Sequence, residues 1–412
     1  MGGLFYGEKM RTFPKIYITP KGEKALRGGH PWVYSDEVTD IDGNIENGGL
    51  VDVYSAKSRF LGTGFYNDNS KIRVRVISRN TNDRFDRAFW ERRIRYALDY
   101  RRTVMEEDFS CCRLIFGEAD TFPGFTVDRF GEILVTQVLS LGIDKIKDML
   151  YELLVEILEH MGEHVSAIYE RSDVKIRELE GMEQYKGFWS GLQTNLSGVT
   201  EITENGIKYA VDYINGQKTG FFLDQKYNRM AIRRIAQGRT VLDCFTHTGA
   251  FALNAAAAGA KLVNAVDISE DAVELTRKNA ALNGFTNMQF TIANVFDLLT
   301  DLYKAGNRSY DFIILDPPAF TKSSGTVKNA IRGYKEINLK AMRLLPRGGY
   351  LATCSCSHFM TEPLFRQMLH DAAADADVSL RQIEARQQSP DHPILWNVPE
   401  TDYLKFFIFQ VV

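Results

Sequence analysis

Two cysteines two residues apart, Cys354 and Cys356 in "YLATCSCSHF", close an apolar run that follows the paired glycines Gly348 and Gly349. If the run is a strand, its period of two sets both thiols on one side. They differ in depth. Cys356 lies nearer the carboxyl end, where an open parallel sheet holds its ligands, and it is the candidate nucleophile. Cys354 lies one repeat deeper and reads at least as well as a buried structural thiol. Upstream, "ILDPPAF" ends another apolar run in Asp316, followed by Pro317 and Pro318. Two prolines remove two backbone donors and stiffen the exit from a sheet, leaving Asp316 to face a planar substrate. A thiolate and a carboxyl at one rim suit a demanding reaction. Carbon 5 of cytosine is a poor nucleophile, but a thiolate added to carbon 6 makes it enamine-like and able to attack a sulfonium methyl. Loss of the carbon 5 proton and elimination of cysteine restore the ring. Asp316 would hold the N3/N4 edge and favour protonation at N3. Methylation of an exocyclic amine needs no cysteine, so the thiol separates the two chemistries.

A sulfonium donor needs a seat, and the ends of the preceding apolar runs supply one. "DCFTHTGAF" carries Asp243 and then Gly249, where a missing Cβ lets the chain bend into a helix and a ligand approach. Asp267 ends the next run and can accept both hydroxyls of a ribose. Asn294 ends the third and can read an adenine edge. The turn lacks GxGxxG, which argues against a pyrophosphate held on the helix N-terminus. A nucleoside-bearing cofactor without pyrophosphate fits the ordered set Asp243, Gly249, Asp267, Asn294 and Asp316. That makes S-adenosylmethionine the expected cofactor. A paired-cysteine metal site is not expected: Cys111 and Cys112 are adjacent, and neither CxxC nor histidine-rich spacing completes four ligands.

The elements that must position these groups fall into three segments. From residue 193 to 412, "RTVLDCF", "KLVNAVD", "MQFTIAN", "YDFIILD" and "GGYLATCSCS" alternate with helical stretches, predicting an α/β domain with a mostly parallel sheet covered on both faces. Residues 76–192 read as a small α+β domain: the helix "DRAFWERRIRYALDYRRTVM", then strand, helix and strand, with "GEADTFPGFTVDRFG" as a turn-rich loop. Residues 1–75 read as a small β-barrel from "PKIYI", "GGLVDVYSA", "FLGTGFY" and "KIRVRVIS". In the last of these, Ile72, Val74 and Val76 share one face, and Lys71, Arg73 and Arg75 the other, a candidate phosphate contact. The chain of 412 residues has a formal charge of -3, which is not the signature of binding by bulk phosphate attraction. Five cysteines without framework spacing, no secretory signal in "MGGLFYGEKMRTFPK" and no run long enough to span a bilayer predict a cytoplasmic protein.

With these motifs in order, the sequence resembles the bacterial large-subunit ribosomal RNA cytosine-C5 methyltransferases of the RlmI-like family over nearly its full length. An RNA-binding PUA module resembles residues 1–75 through "GGHPWVYSDEV" and "FLGTGFYNDNSKIRVRVI". The central domain matches through "RLIFGEADTFPGFTVDRFG" and "IYERSD". The catalytic domain matches through "ENGIKYAVDYINGQKTGFFLDQKYNR", "DPPAF", "RGYKEINLKA" and "TCSCSH". The resemblance implies a Rossmann-like class I methyltransferase domain. Asp243, Phe245 and Gly249 would line its S-adenosylmethionine pocket, Asp267 would bind the ribose, and Asn294 would lie beside the adenine. Gln225 would sit near the methionine end, and Cys356 falls at the nucleophile position. The family often has a lysine after the paired prolines, where this chain has Ala319. The implied partner is 23S ribosomal RNA, free or in an assembly intermediate, with no membrane; whether the protein is a homodimer is left open. "QKTGFFLDQ" reads as a cofactor lid or a core seal. Two other functions compete: methylation of another RNA or an exocyclic amine, and RNA binding without catalysis.

Overall fold

In the computed structural model, which describes residues 13–192, 196–321 and 323–412, alternating β-branched and aromatic residues build a first sheet of six strands. They are β1 (Lys15–Ile18), β2 (Trp32–Tyr34), β3 (Val38–Asp42), β4 (Leu50–Ser55), β5 (Phe60–Tyr66) and β6 (Ile72–Ser78), in the order β2-β6-β5-β4-β1-β3. Residues 1–12, where no secretory signal is expected, lie outside the described residues. Ile16, Ile18, Val33, Val51, Val53 and Val74 fill the core of this unit. Sequence reasoning passes over β3 because its residues are nearly all exposed and polar. It also passes over the helix Pro20–Arg27, which buries only Leu26 among its apolar residues. That helix is started by Thr19, whose hydroxyl accepts from Gly22 N at 3.3 Å.

One expectation for β6 is corrected. Val74 and Val76 do point inward, but the opposite face is not an open basic strip. The Arg75 guanidinium lies between Glu118 at 3.2 Å and Glu180 at 2.9 Å, both from the next unit. Arg73 pairs with Asp68 and donates to the Asn67 carbonyl at 3.2 Å. Lys71 alone of the three is exposed. Carboxylates of the neighbouring unit and of Asp68 hold the two guanidinium groups that were expected to face a phosphate backbone.

The second sheet holds β7 (Cys111–Phe116), β8 (Phe125–Phe130), β9 (Ile133–Val138), β10 (Ala167–Ser172) and β11 (Tyr185–Phe188), in the order β11-β10-β9-β8-β7. β9 and β10 run parallel, joined through the helix Lys147–His160, whose Leu150, Leu153, Leu154, Ile157 and Leu158 are buried. The helix Arg87–Met105 packs into the same core. The turn-rich reading of "GEADTFPGFTVDRFG" holds only for its first half, since its second half is β8. Asp128 disguised that strand: it is fully buried, and accepts from Arg113 Nε at 2.7 Å and Nη2 at 2.8 Å. Phe65 of β5 stacks on Trp90 with ring centroids 6.0 Å apart, so the first two sheets share a core.

A hairpin, β12 (Val199–Glu204) and β13 (Ile207–Asp212), leads into the third sheet. Its strands are β14 (Thr240–Cys244), β15 (Leu262–Asp267), β16 (Met288–Ile292), β17 (Phe312–Leu315), β18 (Tyr350–Ser355), β19 (Leu380–Arg386) and β20 (Lys405–Val411). Their order is β16-β15-β14-β17-β18-β20-β19. β14 to β18 are parallel, β20 is antiparallel to both neighbours, and a separate apolar cluster covers each face. The five parallel strands are those expected from the sequence, as are three of the four helices between them; the helix Val295–Lys304 was not expected. Among the described residues, no helix is long and apolar enough to cross a membrane.

Candidate active site

The turn after β14 is tightly coiled: Phe245, His247 and Gly249 all have positive φ, at 65°, 52° and 81°. A Cβ on Gly249 would lie 2.5 Å from both Leu253 Cδ1 and Thr276 Cγ2, so the position demands glycine by backbone and by space. Within this turn Asp243 Oδ2 accepts from Thr246 Oγ1 at 2.6 Å and from Ala252 N at 3.0 Å. Its other oxygen, Oδ1, is buried without a hydrogen-bond partner. Burial, with Asp316 and Asp267 nearby, pushes the Asp243 carboxyl up to about 7. An orphaned carboxylate oxygen beside a positive-φ turn is the acceptor that an amino-acid ammonium requires.

Asp267, at the end of β15, accepts from His247 N through Oδ2 and from Ser269 N through Oδ1, both at 3.0 Å. Each oxygen keeps a second lone pair, enough for the two hydroxyls of a ribose. Asn294 caps the helix Val295–Lys304 by accepting from Phe296 N at 2.9 Å, which leaves its amide nitrogen as the group able to address a base. The residues at these strand ends therefore fit S-adenosylmethionine: Asp243 for its ammonium, Asp267 for its ribose, Asn294 for its adenine.

The reactive edge lies one strand further on. Asp316 Oδ1 accepts from Cys354 Sγ at 3.0 Å and from Gln225 Nε2 at 3.2 Å. Gln225 Oε1 in turn accepts from Asn228 Nδ2 at 2.7 Å. Gln225, expected near the methionine end, thus orients Asp316. Burial raises the Asp316 carboxyl to about 6. The two thiols behave differently. Cys354 is fully buried and held well above the ordinary thiol value by burial and by Asp316. Cys356 stands half-buried just past the end of β18; burial and then Asp316 push it up to about 11, while Lys218 pulls it down. Ala319 brings no charge; Lys218 and Lys405 are cations that interact with Cys356.

The two phenylalanines of "QKTGFFLDQ" have different surroundings. Phe221 is buried beneath the Arg229 guanidinium, 4.9 Å from its ring centre, whereas Phe222 meets the His247 ring of the β14 turn at 5.1 Å. Two groups escape sequence reasoning. Asp224 is buried, with Tyr403 OH donating to Oδ2 at 2.7 Å; burial alone would raise it, but His392 and Lys218 hold it low. Lys405 donates to the carbonyls of Ser357 at 2.6 Å and Tyr403 at 2.8 Å, and burial lowers it to about 8. Asp224 could have been found as the acid beside Gln225. Lys405 could not, because a lysine opening an apolar strand looks like an ordinary strand-end charge.

Comparison with known proteins matches the first and third units of the chain. The family model for PUA-like domains matches residues 16–79, and that for S-adenosylmethionine-dependent methyltransferases matches residues 188–410. A protein of Aliivibrio fischeri strain MJ11, named ribosomal RNA large subunit methyltransferase I, is 40% identical over 96% of this chain and 99% of its own. A protein of the same name from Klebsiella pneumoniae strain 342 is 38% identical over 97% and 99%. Among solved structures, a SAM-dependent methyltransferase from Streptococcus mutans superposes with TM-score 0.80 at 23% identity, over 96% of this chain and 100% of that one. A methyltransferase complexed with SAH gives TM-score 0.81 at 22% identity with the same coverage. Both share the fold.

Proposed function

The chain belongs to the S-adenosylmethionine-dependent methyltransferases of the ribosomal RNA large subunit methyltransferase I family, and from that premise we propose that it methylates carbon 5 of a cytosine in 23S ribosomal RNA. The observation that carries this reading is a half-buried thiol at the carboxyl end of β18, electrostatically coupled to Asp316 and set beside the donor seat. Methylation of an amine would leave that thiol without a task.

S-adenosylmethionine supplies the methyl group. The chain's own residues do the rest. The target cytosine leaves its stack to reach a site this enclosed. Cys356, as thiolate, adds to carbon 6, and Asp316, already near its protonated form, supplies a proton toward N3, so the electron pair moves to carbon 5. Carbon 5 takes the methyl. A base takes the carbon 5 proton, that C–H pair forms the C5=C6 double bond as the carbon–sulfur pair leaves with Cys356 as thiolate, and N3 gives its proton back to Asp316. Lys218 favours the thiolate, and Gln225 fixes the orientation of Asp316. Phe245 and Gly249 shape the turn that holds the donor against Asp243, Asp267 and Asn294. Labour divides along the chain: residues 1–75 for RNA, 76–192 as the bridge, 193–412 for chemistry. A cytoplasmic location accords with free cysteines and a ribosomal substrate.

The test uses purified protein, under-modified 23S RNA and methyl-labelled donor, with nucleosides resolved by mass spectrometry. Label in 5-methylcytidine is expected. Label in an N-methylated cytidine would reject the assignment. If Cys354→Ser abolished transfer while Cys356→Ser did not, the chemistry would stand with the cysteine roles reversed.

A further inference from the structure

A cavity of about 600 Å³ is lined by residues of the segment after Cys356 and of the loop before β20, among them His358, Glu362, Leu395, Trp396, Asp402 and Lys405. Its floor is continuous with the catalytic strand end, because Lys405 holds the carbonyl of Ser357, the residue after Cys356. His358, two residues past Cys356, has its Nδ1 buried without a hydrogen-bond partner. At the mouth stands Trp396, which is 97% exposed. Among the described residues, no other exposed large hydrophobic side chain exceeds 67%. Leaving an indole wholly in water is unfavourable unless something covers it.

The loop that carries Trp396 is pinned to the first domain. Asn397 Nδ2 donates to the Gly29 carbonyl at 2.6 Å, and His30 Nε2 lies 3.2 Å from Glu400 Oε2. The indole therefore sits on a held loop, between the N-terminal domain and Cys356. The charges indicate what it receives. Glu362 and Asp402 at the cavity would repel a phosphate, and Lys405 already spends two donors on backbone carbonyls. A flat, uncharged ring presenting N–H groups suits this setting: its face on the indole, its edge toward the carboxylates.

We propose that this cavity is a second nucleobase subsite, in which an unpaired base of the substrate strand next to the target cytosine stacks on Trp396. The inference rests on the RNA reading above, and it assigns the base-holding task to a loop of the catalytic domain that the cofactor and nucleophile do not use. Trp396 holds the strand while the neighbouring cytosine stands at Cys356.

The experiment compares wild type, Trp396→Ala and Trp396→Phe on under-modified 23S RNA, with donor affinity measured by calorimetry. The alanine variant is expected to raise KM for RNA at least tenfold while the donor Kd stays unchanged, and phenylalanine to recover most of the loss. The emission difference between wild type and Trp396→Phe isolates the indole, and short oligoadenylate should quench it. A methylating wild type, with unchanged KM in the alanine variant and no quenching, would overturn the subsite and leave the proposed function standing. Quenching without any methylcytidine product would do the reverse.

Discussion

Cys356 rests as a thiol, since burial and Asp316 hold it up at about 11, so catalysis depends on the small thiolate fraction. That fraction grows with pH. Above pH 6 the protonated fraction of Asp316, held at about 6, falls by the same factor, so the single-turnover rate at saturating RNA and donor is expected to stay nearly level between about pH 7 and pH 9. Cys354→Ser should keep that level profile, and Cys356→Ser should leave no rate to profile. Asp243 has a different consequence, for stability. Its folded value of about 7 exceeds its ordinary 3.8, so the folded state binds more protons across that interval. The contribution of Asp243 to stability is thus fully present below about pH 4 and is lost as pH rises through 7. Asp243→Asn should flatten the fall of the thermal midpoint over this window, and calorimetric scans at stepped pH would show it. At this scale the sequence was informative wherever chemistry and strand position coincide, as at Asp267 and Cys356. It was silent where a role depends on what folds against the residue: nothing local in "IRVRV" reveals that Glu118 and Glu180 await Arg75.

The five parallel strands were legible because each is a short apolar run bounded by turn residues, and both faces of a parallel sheet are covered. Strand β19 was not, since nearly all of its residues are exposed or half-exposed at the sheet edge, and an edge strand needs no apolar pattern. The β14 turn was legible only in outline. Gly249 announced a bend, but the φ of 52° at His247 and 65° at Phe245 are imposed by the coil around Asp243 rather than by any local preference. The turn is consequently sensitive to a single methyl. In Gly249→Ala the Cβ would meet Leu253 and Thr276 at 2.5 Å with φ at 81°, and a loss of about 2 kcal/mol of stability is expected. Chemical denaturation reads that loss, and donor affinity should fall with it, because the same turn carries Asp243. A variant with full stability and full donor affinity would show that the turn relaxes without cost.

The three units are welded together, and this changes what a truncation can reveal. Removing residues 1–75 would strip Phe65 from Trp90 and Arg75 from its two glutamates, and would cut β6 in half. Loss of the fold would then mimic loss of RNA binding. Point changes at β6 separate the two. Arg75→Ala leaves Glu118 and Glu180, 16% and 4% exposed, without their cation; a destabilisation of about 3 kcal/mol is expected, with no change in the salt dependence of RNA binding. Lys71, the residue just before β6, is exposed, and its ammonium can reach a phosphate without disturbing the interface. Lys71→Ala should leave the thermal midpoint in place and lower the slope of log affinity against log salt by about 0.7 to 0.9, the share of one phosphate contact. Fluorescence titrations of an RNA fragment at several salt concentrations, paired with melting curves of the same samples, measure both quantities. A slope that fell with Arg75 and held with Lys71 would move the RNA path to the other face of the first sheet.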